Sequence, residues 1–269
     1  MKVAMTIAGS DPSGGAGLQA DLKTFHQHGV YGTSVVTLLT VQNTVSVSDI
    51  LPIDADFVLA QLDAVLSDIP PQAAKTGALG DPELICRLAN RAREFGFPLV
   101  IDPVMISKHG QPLLGDQAIE ALASELLPRA HLITPNRHEA ERLCGVTIEN
   151  RQTMLAAADA ILRMGVANVL IKGGEFEGRS VDLLHSGTET WWLESERWPT
   201  RSTHGSGCVF SAAVTARLAL GHGLAEAARG AKRFISAAIR DAPGLGQGVG
   251  PVNMAVAAEF QPPDPEVKP

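Results

Sequence analysis

The amino-acid sequence predicts an α/β fold in three layers, with helices on both faces of a mostly parallel central sheet. Two observations carry this. Short apolar runs alternate with helix-period segments over most of the chain, and such βα alternation with right-handed crossovers gives a parallel sheet sandwiched by helices. Of the 269 residues, 45% are hydrophobic and 19% charged, enough to bury a sizeable core and to exclude global disorder.

The elements follow in order. Residues 3–8 read as a buried strand and residues 15–28 as an amphipathic helix, with Leu18, Leu22 and Phe25 at helical spacing. "TSVVTLLTVQN" is a second strand, and "TVSVSDILPI" after it has the alternation of a short exposed hairpin or flap placed to cover a ligand. Helix 55–68, strand 72–75, helix 82–95, strand 98–101, helix 116–126 and strand 131–133 come next. Helix 137–144, helix 152–164 and strand 167–172 complete the alternation. Two short strands near 180–193 lead to closing helices near 207–220 and 224–240. Residues 1–260 are expected to form one domain, and the proline- and charge-rich residues 261–269 a mobile tail.

A formal charge of −7 argues against general affinity for nucleic acid or anionic membrane, which select basic surfaces. An anionic ligand must then be held locally. Cys86, Cys144 and Cys208 are far apart with no CxxC pair, which fits a reducing, cytoplasmic compartment and excludes a zinc-finger spacing. Asp11 interrupts the first apolar run too early for a signal-peptide core. No apolar run approaches the roughly 18 residues of a membrane span.

Two glycine segments invite closer reading. Gly15-Ala16-Gly17-Leu18-Gln19-Ala20 matches GxGxxA, but the second strand ends in Gln42-Asn43 where a dinucleotide fold needs an acid for the ribose. Gly9 and Gly14 have the first spacing of a Walker A loop, yet Gly15-Ala16 stands where Lys and Ser/Thr belong. Either a tight strand-to-helix turn or a substrate-facing loop satisfies the motif. Gly205-Ser206-Gly207-Cys208 precedes the strong helix former "VFSAAVTARLAL". Its glycines let backbone approach a ligand, and free N–H groups with the helix dipole favour a polyphosphate. The alternative is a plain glycine turn beside a compact buried thiol.

"TIAGSDPSGGAGLQADLKTF", "VQNT", "KTGALGD", "IDPVM", "LITPNRHEA", "IKGG", "STHGSGC" and "GVGPV" occur in an order and spacing that resemble the bacterial hydroxymethylpyrimidine/phosphomethylpyrimidine kinases of thiamine biosynthesis, members of the ribokinase-like kinases. The likeness runs from about residue 3 to residue 253. It implies a ribokinase-like three-layer fold, often dimeric. It also implies use of ATP and Mg²⁺ to phosphorylate hydroxymethylpyrimidine and then its monophosphate.

The resemblance also assigns residues. Gln42 matches a pyrimidine-reading glutamine, whose amide offers an acceptor and donors in one plane. Asp21 matches an acid near the substrate, and Gly9, Val104 and Cys208 belong to the same pocket. Asn136 and Glu139 match an NxxE element in which the Glu helps to hold Mg²⁺ near the nucleotide phosphates, a role that a helix cap does not exclude. Asp102, at a strand end, reinforces that metal site, and Lys172 matches a lysine that contacts the phosphates. Gly205, Ser206 and Gly207 would bind and stabilise the transferred phosphoryl group. Ala78 departs from the family pattern, where a Met lines the pyrimidine pocket, and so leaves substrate breadth open.

Many ribokinase-like enzymes carry an Asp base after the glycine turn, and here Cys208 takes its place. A thiol at a helix N-terminus near Lys172 is expected to have a lowered pKa and to assist deprotonation of the substrate alcohol. The nearest rival reading is a pyridoxal or dual vitamin kinase, disfavoured by "VQNT". A catalytically silent nucleotide-binding module is disfavoured by the full set of Asp102, Glu139, Lys172 and Cys208.

Overall fold

The computed structural model describes residues 1–106, 110–176 and 178–258; the tail expected at 261–269 lies outside them. Its strands are β1 (Val3–Ser10), β2 (Tyr31–Gln42), β3 (Val47–Pro52), β4 (Ala73–Thr76), β5 (Leu99–Ile101), β6 (Leu132–Ile133), β7 (Val169–Phe176), β8 (Arg179–His185) and β9 (Thr190–Ser195). They join in one sheet of order β3-β2-β1-β4-β5-β6-β7-β8-β9. The six from β2 to β7 in that order are parallel, and β3, β8 and β9 are added by antiparallel pairing. The segment expected as a flap is thus an edge strand, with Leu51 of β3 opposite Leu39 of β2 and both side chains exposed.

The helices are α1 (Gly17–Gln27), α2 (Ala55–Asp68), α3 (Pro82–Ala92), α4 (Asp116–Ala121), α5 (Arg137–Cys144), α6 (Arg151–Leu162), α7 (Ser206–Ala219) and α8 (Leu224–Arg240). Successive strand residues face opposite sides, and both sides are covered. Leu99, Ile101, Ile133, Val169 and Ile171 pack with α2 to α6, while Val100, Leu132 and Leu170 pack with α7 and α8. This gives the three layers that the βα alternation predicts. Among the described residues no helix is long and apolar enough to cross a membrane.

One boundary differs in kind from its expectation. The helix read as 116–126 stays α-helical only to Ala121, then widens into a π turn over Leu122–Leu126 and tightens to a 3₁₀ turn over Leu127–Arg129. Pro128 lacks the N–H that a continuing α-helix requires.

Helix α7 is central to the site. It is buried without a break from Val209 to Arg217 and again at Ala219. Ala212 and Ala216 pack with α1, and Ala213 and Val214 pack with α8. A helix apolar on nearly all sides belongs in the interior, and its small residues let neighbouring helices approach. That packing fixes where its N-terminus ends.

Candidate active site

A cavity of about 780 Å³ opens along the carboxyl ends of the parallel strands. It spans the place where β1 has β2 on one side and β4 on the other, the switch point at which open α/β sheets bind ligands. Every candidate site residue named from the sequence lines it: Gly9, Asp21, Gln42, Ala78, Asp102, Val104, Asn136, Glu139, Lys172 and residues 205–208.

The two glycine segments interlock at its floor. Gly205 has φ 74° and Gly17 has φ 56°, conformations that L side chains rarely adopt. A Cβ on Gly205 would collide with the Gly15 carbonyl oxygen, and one on Gly17 with that of Gly9. The first segment is therefore both a tight turn and part of the pocket wall. The start of α7 lies beside the start of α1, with the Gly17 N–H placed to favour the ionised form of the Cys208 thiol. Ser206 N–H is spent on Thr203 O at 3.2 Å, so the amides that α7 can offer a ligand are those of Gly207 and Cys208, in a first turn without intrahelical acceptors.

Lys172 approaches the same turn. Its Nζ would stand 3.0 Å from a Cβ on Gly207, and it pairs with Asp102 Oδ1 at 3.0 Å. Asp102 is buried and also accepts from Ser211 Oγ at 3.1 Å. Burial works against its ionisation, but Lys172 and Lys75 outweigh burial and hold its carboxyl below the usual range. Glu139 is 7% exposed; its N–H bonds to Asn136 Oδ1 at 3.0 Å, and its Oε2 accepts the Asn136 N–H at 2.8 Å. This capping box starts α5 and orients the Glu139 carboxyl. Burial, with the Asp102 charge adding to it, pushes that carboxyl up to about 7 against the pull of Lys172.

Two buried carboxyls, one of them disfavoured in its charged form by the other, suit a divalent cation. Among the described residues no group of three or more His, Cys, Asp or Glu side chains forms a closed metal cage. Mg²⁺ keeps most of its waters and needs only one or two carboxylates. The donor set of Asp102 and Glu139 fits it.

Cys208 corrects an expectation. Its pKa is not lowered: burial, with Asp102 and Asp21 adding to it, pushes the thiol up to about 12, and Lys75 with the Gly17 N–H only partly opposes this. The cation that matters most to it is Lys75, not Lys172. The sequence placed the thiol at a helix tip correctly, but the acids that surround it come from β5 and α1 and do not show in its neighbours along the chain.

Lys75 is one of four residues that sequence reading passed over. Wholly buried in β4, it pairs with Asp21 Oδ1 at 2.7 Å, and Asp21 accepts from Thr6 Oγ1 at 2.6 Å. Asp21 is therefore no solvated helix charge. Burial pulls the Lys75 ammonium down, but Asp21 foremost among its neighbours holds it up, so it stays charged. Asp11, His204 and Thr40 surround Gln42: the buried His204 Nε2 lies 2.8 Å from Asp11 Oδ2 and 3.2 Å from the Gln42 amide. A β-bulge at Val41 and Gln42 turns this amide toward the cavity. The signal was present in "KTG", "SDPSGG" and "STHGSGC", read for their glycines rather than for Lys75, Asp11 and His204. Also lining the cavity, Lys232 binds Asp182 Oδ2 at 2.7 Å and Ser180 Oγ at 2.9 Å, and the apolar Phe210, Ile235 and Ile239 share the wall.

Comparison with known proteins matches residues 11–253 to the phosphomethylpyrimidine kinase family model. The hydroxymethylpyrimidine/phosphomethylpyrimidine kinase of Haemophilus influenzae is 47% identical over 259 residues, 94% of this chain and 96% of the relative. A thiamine biosynthesis bifunctional protein of Geobacter sulfurreducens is 48% identical over 257 residues, 95% of this chain; the match spans only 52% of that longer protein. Among solved structures, the pyridoxal kinase of Staphylococcus aureus in complex with AMP-PCP and pyridoxal superposes with a TM-score of 0.87 at 37% identity, covering 95% of this chain and 94% of that one.

Proposed function

The chain belongs to the phosphomethylpyrimidine kinase family, and from that premise we propose that it transfers the terminal phosphoryl group of ATP to hydroxymethylpyrimidine and then to the resulting monophosphate, in thiamine biosynthesis. The observation that carries this reading is the meeting of Lys172, Gly207 and Asp102 in one cavity that Gln42 also lines. A phosphate-binding tip and a flat polar reader of a ring thus share one enclosure.

The chain's own groups divide the work. Gly207 and Cys208 N–H, with the positive end of α7 behind them, receive phosphate oxygens, and Gly205 and Ser206 hold the turn that aims them. Lys172 supplies fixed positive charge where negative charge builds on the transferred group. Asp102 and Glu139 would hold Mg²⁺, which neutralises phosphate charge. Asn136 spends its side-chain oxygen on the cap of α5 and offers its amide nitrogen to the nucleotide. Gln42 reads the ring, with Gly9, Val104, Ala78 and Asp21 forming the walls around it. Lys75 balances Asp21 beneath the thiol.

Cys208 enters as a neutral thiol. With its pKa near 12, only about one thiol in 10⁵ is ionised at pH 7, so it orients the acceptor oxygen rather than acting as a standing base. Phosphoryl transfer with a loose transition state makes little demand on a base, because the alcohol sheds its proton late. The second acceptor, a phosphate monoester with a pKa near 6, is already largely ionised.

An ATP-consumption assay run in parallel with hydroxymethylpyrimidine, its monophosphate and pyridoxal tests the assignment. Turnover with both pyrimidines is expected. Turnover of pyridoxal alone, or nucleotide binding without turnover, would replace it. We further assign the chain to the cytoplasm as a homodimer of single-domain subunits, with exposed Leu39, Val41 and Leu51 at the β2–β3 edge as apolar surface for a second copy; a monomeric sedimentation profile at micromolar concentration would reject the dimer.

A further inference from the structure

Gln42 sits between two neighbours whose other bonds dictate the sense of its amide. On one side is His204 Nε2, 2.8 Å from Asp11 Oδ2. Asp11 already accepts from Ala16 N at 2.8 Å, Ser13 N at 2.9 Å and Ser13 Oγ at 2.7 Å, the surroundings of an ionised carboxylate. Burial opposes that ionisation, but the bonds from His204 and Ser13 hold the Asp11 carboxyl below its usual range. An ionised carboxylate only accepts, so His204 Nε2 must be the donor. As drawn, Gln42 Nε2 lies 3.2 Å from this nitrogen, but a ring nitrogen that donates cannot also accept, so we turn the amide over and assign its oxygen to that place.

On the other side is Thr40 Oγ1, 2.9 Å from the carbonyl oxygen of Ser10. A carbonyl only accepts, so the single hydroxyl proton of Thr40 is committed there. As drawn, Gln42 Oε1 lies 3.4 Å from Thr40 Oγ1; with the hydroxyl proton spent on Ser10, the turned amide puts its donating nitrogen there instead. The oxygen and nitrogen of a glutamine amide are nearly equal in size, and the bonding network assigns them. Here both neighbours, bonded to different parts of the chain, demand the same orientation.

We propose that Asp11, His204 and Thr40 act as a clamp that locks the Gln42 amide with its oxygen toward His204 and its nitrogen toward Thr40, and that this lock selects an acceptor ring carrying an amino group beside a ring nitrogen over one carrying a carbonyl beside a ring N–H. The inference rests on the reading above in which Gln42 faces the acceptor ring. A locked amide shows the ring one acceptor and one donor in fixed order. The amino edge matches that order. An oxo ring presents the reverse and meets the same amide only by turning over, which carries its hydroxymethyl group away from Cys208. His204, Asp11 and Thr40 are positioning residues in this arrangement.

The test compares kcat/KM for 4-amino-5-hydroxymethyl-2-methylpyrimidine and for its 4-oxo counterpart in the unsubstituted enzyme and in the Thr40→Val, Thr40→Ser, His204→Gln and Gln42→Ala variants. Thr40→Val and His204→Gln should lower the amino-to-oxo preference by about fivefold or more, the scale on which one misdirected polar pair is felt. The change should fall on KM for the pyrimidine and leave KM for ATP unmoved. Thr40→Ser, which keeps the hydroxyl, should retain the preference. Should His204→Gln fail to fold, Thr40→Val, nearly isosteric and near the end of β2, decides alone. If Thr40→Val slows both substrates equally and leaves their ratio intact, its role is structural and the clamp is overturned. If Gln42→Ala leaves the pyrimidine KM unchanged, Gln42 does not face the ring, and the reading beneath the proposal fails instead.

Discussion

Gly205 turns in the left-handed region directly against the carbonyl oxygen of Gly15, so the two glycine segments, 190 residues apart in the chain, share one surface with no room for a methyl group between them. Gly205→Ala meets both a disfavoured φ and a backbone atom that cannot retreat. The variant should lose on the order of 3 kcal/mol of stability in urea unfolding, and its turnover should fall about 100-fold as the tip of α7 shifts.

Lys172 is the cation shared by Asp102 and Glu139. Removing it in Lys172→Ala leaves two buried acids facing the phosphate site, and kcat/KM for ATP should drop by about 10²–10³, the cost of losing a fixed charge at a developing anion. Pyrimidine binding, measured calorimetrically without nucleotide, should change little, since Gln42 bonds to His204 and Thr40 and not to Lys172. Arginine should not rescue the loss, because Nζ already packs against Gly207.

Cys208 should show no thiolate absorbance below about pH 10, given a pKa near 12, when Cys86 and Cys144 are replaced so that it titrates alone. Cys208→Ser keeps a neutral hydrogen-bonding group and should retain activity within about tenfold. A thiolate signal at pH 7, with a matching limb in the pH–rate profile, would return the residue to the role of base.

His28 provides a pH dependence remote from the cavity. It packs on Phe234 with ring centroids 4.6 Å apart, and burial, with the Arg217 and His222 charges adding to it, pushes it down to about 4. Its ordinary value in the unfolded chain is 6.5, so between these two values the unfolded state binds the extra proton. Stability is therefore full above pH 6.5 and declines as the pH falls toward 4, by on the order of 3 kcal/mol. His28→Leu should flatten that limb of the thermal-unfolding profile and leave the alkaline side alone.

The βα alternation made the layers, the parallel core of the sheet and nearly every helix legible in the sequence, because the period of the apolar residues is itself the cause of those elements. The convergence of Asp102, Glu139, Lys172 and residues 205–208 was legible because each follows a strand end or opens a helix. What stayed hidden depends on partners distant in sequence. The raised pKa of Cys208 comes from burial among Asp102 and Asp21, the ionisation of Asp21 is tied to Lys75 in β4, and the grip on Gln42 comes from Asp11 and His204. No periodicity reports such pairings. The π turn at Leu122 was missed for a local reason, since the apolar spacing there continues smoothly toward Pro128.

The enclosure of α7 has a kinetic consequence. A helix wedged between α1 and α8 resists swinging, so its N-terminal tip should stay a fixed anvil. Hydrogen exchange should find the amides of α7 among the slowest in the molecule whether or not nucleotide is bound.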